Sequence, residues 1–307
     1  MCFQIRGGER QKLVSSIYLF AEKIIKQQKG ETVMRYLSRS FIAVLAVVFA
    51  LLLSSAAQAQ DSPFNIENVP NVVGIGIAML PDYPGSNDYI VGGAPFFKIN
   101  LDSQYEYYLR LLATDLQLNL INHPIFRFGP AFNYRFGRSD VEDKVVKHME
   151  DIDDTFEAGA FVGIELVDKD NPRQRFLSQV EFLSDVGNVY KGYNVSLSAS
   201  YWFPVHKAVD VTFGGGITYA DGNYMETYFG VDQENADRTG LSVYEADSGL
   251  LMARVNAGAV LHLSMSWHLA AGVQYRPLLD DAADSPIVDD RGSKSQWIYG
   301  LGAAYSW

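Results

Sequence analysis

Cysteine is almost missing: 307 residues contain one, Cys2. That excludes a disulfide scaffold and any thiolate zinc site. Long apolar runs are missing too, since nothing after residue 60 approaches the roughly 20 apolar residues a membrane helix needs. Basic residues are scarce, 25 Lys and Arg against 36 Asp and Glu, for a net charge of −11. Such a chain does not neutralise phosphates, so nucleic acid is excluded as a partner. Proline is limited to 11 residues with no repeat, which excludes collagen-like and low-complexity architectures. What the chain does have is 48% hydrophobic residues, 13% aromatics and 26 glycines. A β-rich soluble protein or a membrane β-barrel fits that composition.

The N-terminal region reads as an export signal. Met34 to Arg39 is a basic start, Phe41 to Leu53 is an unbroken apolar run, and Ser54 to Ala59 is a small-residue stretch ending in A-x-A. These are the three parts of a secretory signal peptide, with cleavage expected after Ala59. Residues 1–33 resemble nothing that precedes such a signal. They are expected to be untranslated upstream sequence, with Met34 as the true start. Residues 34–59 then form the signal and 60–307 a single barrel domain. The first 59 residues hold eight Lys/Arg and three Glu, so residues 60–307 carry 17 basic and 33 acidic residues, a net charge of −16.

Beyond residue 60 the dominant period is two, the signature of strands with one buried and one exposed face. Val209, Val211, Phe213, Ile217 and Tyr219 alternate with Asp210, Thr212, Gly214, Gly216 and Thr218. Tyr193 to Phe203, Phe126 to Phe136 and Trp297 to Trp307 behave the same way. The runs are about 11 residues long, whereas strands of soluble proteins have a mode of roughly 5–6. A tilted membrane strand needs about 9–11. The second face is small and polar, as a lumen lining should be. The spacing predicts a closed antiparallel transmembrane β-barrel of twelve strands with both ends in the periplasm. Its outer loops would include long ones at 138–154, 221–248 and 280–295, alternating with short periplasmic turns. Closure requires the last strand to pair with the first, because open edges are not viable in hydrocarbon. Three of the four tryptophans, Trp202, Trp267 and Trp307, are expected at the inner end in an aromatic belt.

The ending Gly302-Ala303-Ala304-Tyr305-Ser306-Trp307 resembles the C-terminal signal that outer-membrane barrels present to the barrel assembly machinery. Gly302, Tyr305 and Trp307 are its marker positions. Further motifs are more specific. Asp82, Tyr83 and Gly85 follow the first strand. Tyr228-Phe229-Gly230-Val231 lies in the longest loop, and Asp281-Ala282-Ala283-Asp284-Ser285-Pro286-Ile287-Val288 precedes the last strand. Together they resemble the MipA/OmpV family of outer-membrane proteins over about 70–307. That resemblance implies a barrel of the Gram-negative outer membrane, in contact with its lipid and without known catalysis. One family member is described as a scaffold linking a lytic transglycosylase to a bifunctional penicillin-binding protein. Others are described as osmotically regulated or immunogenic. A passive or gated channel for small solutes is the alternative reading.

Catalytic signals are sparse. His262-Leu263-Ser264 has the H-x-S spacing found in an outer-membrane phospholipase, which makes a lipid hydrolase the third reading. Both residues are expected inward near the periplasmic end, away from the lipid surface. His123, His148, His206 and His268 have no paired carboxylate motif. The acidic loop Asp140 to Asp154 could take a divalent ion, but its spacing is not that of a calcium loop, and a solvated loop is expected. The same holds for Asp280 to Asp290. No pattern points to a cofactor or a metal.

One register can be argued from charge. Strands 125–137 and 155–168 should form a hairpin with odd positions inward. Setting Arg135 opposite Glu157 and Arg127 opposite Glu165 pairs both inward arginines at once, with Phe132 opposite Ala160 on the lipid side. Opposed opposite charges contribute roughly 0.2–1 kcal/mol per pair. Partners elsewhere across the lumen are the competing arrangement. The inward glycines Gly214, Gly216, Gly300 and Gly302 are expected to leave space.

Overall fold

In a computed structural model, residues 71–102 and 107–307 are described; the expected signal peptide and the expected start at Met34 lie outside them. Twelve antiparallel strands close on themselves, each bonded to its chain neighbours. They are β1 Val72–Pro81, β2 Tyr89–Asn100, β3 Tyr108–Leu112, β4 Asp115–Asn119, β5 Phe126–Arg135 and β6 Thr155–Val167. The second half comprises β7 Arg175–Asp185, β8 Tyr193–His206, β9 Val209–Ala220, β10 Gly249–His262, β11 Trp267–Pro277 and β12 Ser295–Ser306. The seam is β1 on β12, from Val72↔Ser306 to Met79↔Tyr299.

The two-residue period becomes two environments. Ile75 (69% exposed), Ile77, Phe128, Phe132, Val162, Phe182, Leu197, Phe213, Ile217, Val255 and Leu301 point outward. An apolar outward belt is stable only against hydrocarbon, which is why these strands form a membrane barrel and not a sandwich. Val209 and Val211 share the outward face of β9 but are buried, Val211 opposite Phe203 in an aromatic row with Tyr201 and Phe213. Trp267 and Trp307 are exposed on the outside, as a belt requires. Trp202 departs from that expectation. It shares the inward face of β8 and carries the Arg175 guanidinium 4.8 Å above its ring.

The expected spaces inside are mostly filled. A Cβ on Gly74 would sit 2.2 Å from the Phe96 ring, and one on Gly302 3.4 Å from it, so Phe96 lies across the glycines of the seam. Gly216 leaves room for Arg254 and Gly214 for Asn256, and a Cβ on Gly300 would meet only the Ile77 carbonyl at 3.9 Å.

The β5–β6 register differs from the charge-based one by two residues. Arg135 is opposite Thr155, Arg127 opposite Gly163, and Phe132 opposite Ala158. Packing inside the wall decides it. In this register Phe161 faces Gly129, and Phe161 joins Ala131 and Leu183 in a small interior cluster. Asn133 faces Glu157 and donates to it at 2.6 Å. A long arginine reaches a diagonal neighbour as readily as a facing one, so charge pairing does not discriminate between the two registers.

The outer loops fold. The β9–β10 loop forms α1 Gly222–Phe229 and α2 Gln233–Thr239; the β11–β12 loop forms α3 Asp280–Asp284 and α4 Pro286–Asp289. Asp221 and Asp232 cap α1 and α2 by accepting from Tyr224 and Asn235 amides, and Ser285 caps α4, whose first residue is proline. A bulge in β10 between Leu250 and Met252 frees Leu251, which is buried among these loops.

Candidate functional site

Two apolar clusters cover the outer mouth. One gathers Tyr190, Tyr224, Met225, Tyr228, Phe229, Leu251, Leu278, Ala282, Ala283 and Val288. The other joins Tyr83 to Val141, Val146, Met149, Val231, Leu241 and Ile287. The acidic loop is therefore not simply solvated: its apolar residues enter the cap. Asp143 is buried, accepts the Val145 and Val146 amides and pairs with Arg291 at 2.8 Å. Burial opposes its charge, but the Arg291 hydrogen bond and those amides hold it below the usual carboxylate range. Burial, together with the Asp143 charge, pushes the Tyr83 hydroxyl up to about 12.

Beneath the cap, Glu157 is a buried hub, only 1% exposed. Arg135 Nε reaches it at 2.7 Å, and Asn133, Tyr190 and Asn194 also donate to it. Arg135 also donates to Tyr224 Oη at 2.9 Å and lies over that ring, which ties the wall to the cap. Lower in the lumen, Arg110 donates to Gln117 at 2.8 Å and lies 3.8 Å from Asp115, while Gln117 donates to Glu181. Arg127 Nε meets Glu165 Oε2 at 3.0 Å. The structure thus joins Arg127 to Glu165 and Arg135 to Glu157, diagonally in both cases.

At the inner end a polar chain crosses five elements. Arg173, in the turn before β7, pairs with Asp210 at 2.6 Å. Asp210 meets His262 Nε2 at 2.9 Å, His262 Nδ1 meets His268 Nδ1 at 2.7 Å, and His268 Nε2 meets Ser306 Oγ at 2.7 Å. Ser264, the serine of the H-x-S pair, instead accepts the Ser266 and Trp267 amides in its own turn. Nothing in the sequence pattern marks Asp210 or Ser306 for this chain, because their partners lie on other strands.

The family model for the MltA-interacting protein MipA matches residues 73–307, the whole barrel from β1 to its last residue. The chain belongs to the MipA family. It is accordingly an outer-membrane β-barrel protein of Gram-negative bacteria. No curated protein matches it. The NanC porin is similar in structure at 8% identity, covering 76% of this chain and 100% of that one, with a TM-score of 0.44. The translocator domain of autotransporter NalP from Neisseria meningitidis is similar at 9% identity, covering 87% and 98%, TM-score 0.41. The COG4313 outer membrane channel from Pseudomonas putida F1 is similar at 12% identity, covering 81% and 100%, TM-score 0.40.

In this MipA-family barrel the motif residues converge on the cap. Ser285 Oγ donates to the Phe229 carbonyl at 2.6 Å. Gly85 has φ +99°, and a Cβ there would sit 2.5 Å from Val288. Asp82 accepts the Glu142 amide at 2.9 Å. The Gly230 amide closes α1 onto Glu226, and Asp281 accepts the Tyr244 hydroxyl and the Asp247 amide. Tyr228 and Pro286 are buried beside them. Sequence motifs did not single out Tyr190, Tyr224, Arg138 or Arg291. Arg138 donates to the Tyr228 carbonyl at 3.2 Å from the β5–β6 loop. Gly302 lies inward at the seam, whereas Tyr305 and Trp307 lie outward, Tyr305 edge-on to Trp267. Among the described residues, no group of three or more His, Cys, Asp or Glu could hold a metal ion.

Proposed function

We propose that this chain is a non-catalytic anchor in the outer membrane that holds a murein lytic transglycosylase at its periplasmic rim. A bifunctional penicillin-binding protein would be the further member of that assembly. The match to the MltA-interacting family over the whole barrel carries the reading. The geometry supports it in two ways. The motif residues build the cap that covers the outer mouth, and below it ion pairs join neighbouring strands while Gln117 of β4 reaches Glu181 of β7 inside the lumen. The rim that faces murein is the set of inner turns, of which 168–174 is well ordered by Asp168, whose side chain accepts the Asp170 and Asn171 amides.

The alternative, a channel for small solutes, is favoured by one observation. The lumen carries Lys98, Arg110, Arg127, Arg135, Arg175, Arg254 and Arg276 in a chain that is acidic overall. That lining would suit anions. Photo-crosslinkers placed at Lys169 and Lys207 in living cells test the first reading and should capture a lytic transglycosylase. Absence of any murein enzyme among the adducts, with ohmic conductance of the purified barrel in planar bilayers, would replace the anchor by the channel. Insertion through the barrel assembly machinery, read from Gly302, Tyr305 and Trp307, belongs to the same proposal.

A further inference from the structure

Seven basic side chains line the interior of the strands, and five have an evident partner. Arg110, Arg127 and Arg135 have carboxylates; Arg175 lies on Trp202 and Lys98 on Tyr108. Arg254 and Arg276 have no ion pair within 4.0 Å, no hydrogen bond and no ring contact among the described residues. They are also each other's neighbours. Val255↔Tyr275 and the bridge Met252↔Leu278 bracket them, so the β10–β11 register sets Arg254 opposite Arg276 on the inward face. Like charges directly opposed on a sheet repel. The Nε of Arg276 is moreover buried without an acceptor, which costs free energy in any folded state that leaves it so.

The surroundings offer no internal remedy. Gly216 faces Arg254 on β9, and a Cβ there would lie 2.8 Å from the guanidinium Nε. Gln296 faces Arg276 on β12, but its amide is engaged by Gly85, Ser86 and Ser293. The carboxylates in electrostatic reach of Arg254 are Asp115 and Glu181. Asp115 sits beside Arg110, and Glu181 accepts from Gln117. Arg135 adds a third positive charge within reach of Arg276.

We propose that Arg254 and Arg276 form a binding site for an oxyanion, a phosphate or carboxylate group, in the lumen under the cap. Two adjacent guanidiniums present donors in the fork geometry that such groups accept, and a shared anion turns their repulsion into attraction. Gly216 is the position that lets Arg254 lie against the wall.

Access need not pass the cap. β3 and β4 are five residues each, and β3 pairs with β2 only from Phe96 to Asn100. Among the described residues, β2 pairs with β1 and not with β3 from Ile90 to Ala94, so the wall is low above the β3–β4 turn. Asp115, at that turn, is in reach of Arg254. The oxyanion can therefore come from a solute in the lumen or from the headgroup of a lipid beside the low wall. The site is independent of the partner held at the other end.

The test is calorimetric titration of inorganic phosphate into the purified barrel in phosphatidylcholine nanodiscs. Saturable binding is expected, weakened about tenfold or more in Arg276→Gln, lost in the Arg254→Gln/Arg276→Gln double variant and unchanged in Arg238→Gln on the exposed face of α2. Phosphate should raise the unfolding temperature of the wild type and not of the double variant. Without phosphate, Arg276→Gln should be at least as stable as the wild type, since it relieves repulsion; a merely structural arginine would destabilise when lost. A heat-modifiable gel shift verifies that each variant is folded. Phosphatidylglycerol in the discs should weaken phosphate binding if the headgroup is the natural oxyanion and leave it unchanged if a solute is. Wild-type protein without saturable phosphate binding, or a double variant that binds as well as wild type, would overturn the site.

Discussion

At the outer end of the barrel, loops of up to 28 residues bring four helices and two apolar clusters together over the mouth. At the inner end the turns are short, and polar links run from Asp168 to its own turn, Arg173 to Asp210 and His268 to Ser306, beside ring contacts such as Trp267 on Tyr305. One end is stabilised like a small soluble domain, by burial of Tyr224, Phe229 and Ile287. The other relies on polar links between strands that the membrane already holds in register. The difference teaches where sequence change is dangerous. Apolar burial supplies the larger increments, and it lies in loops, the segments usually most tolerant of change.

The comparison can be broken first at Phe229. Phe229→Ala should destabilise the cap by about 3–5 kcal/mol, seen as protease cleavage in the 221–248 loop while the heat-modifiable barrel persists. Loss of the whole barrel would mean that cap and wall are one cooperative unit. Next, Glu157→Ala leaves Arg135 without its carboxylate and should cost roughly 3 kcal/mol by thermal melting, with the cap loosened too, because Arg135 also holds Tyr224. Third, Gly85→Ala should cost about 2 kcal/mol, because φ +99° and Val288 both oppose a side chain there. At the inner end, His268→Ala should cost only about 1 kcal/mol. Combined with Phe229→Ala it should be additive within about 0.5 kcal/mol if the ends are independent.

The smallest effect is acidic. Asp143 is held below the ordinary carboxylate range, so its contribution is fully present above the unfolded value near 3.8 and is lost as pH falls through the folded value. Cap protection against an acid-active protease should therefore decline below about pH 4, and less steeply for Asp143→Asn.

The wall was legible in the sequence because period two persists through β5, β8, β9 and β12, and hydrocarbon enforces it outside. The β5–β6 register was not legible from charge, since Arg127 and Arg135 reach diagonal acids while Gly129 and Phe161 choose the alignment. Trp202 sat at the expected height but on the inward face, a fact the alternation around Ser198 and Ser200 already contained. The cap stayed hidden for a different reason. Its buried residues, Val141, Val146, Met149, Tyr224 and Leu251, are scattered among acids across distant loops without a repeat period. Only the capping residues Asp221, Asp232 and Ser285 leave a local mark. The motif positions were noticeable as motifs, but their common role in one cluster exists only in three dimensions.

The glycines of the seam bear on how the barrel is sealed during biogenesis. Inside the joint of first and last strands, Gly74, Gly76, Gly300 and Gly302 present almost no side chains, so two hairpins can approach and zip without any interior repacking except the swing of the Phe96 ring. A smooth interior track does not by itself dictate alignment. Alignment at closure then falls to the outward residues, Ile75, Ile77, Tyr299 and Leu301, which are read by lipid, and to the Trp307 amide meeting the Asn71 carbonyl at the base.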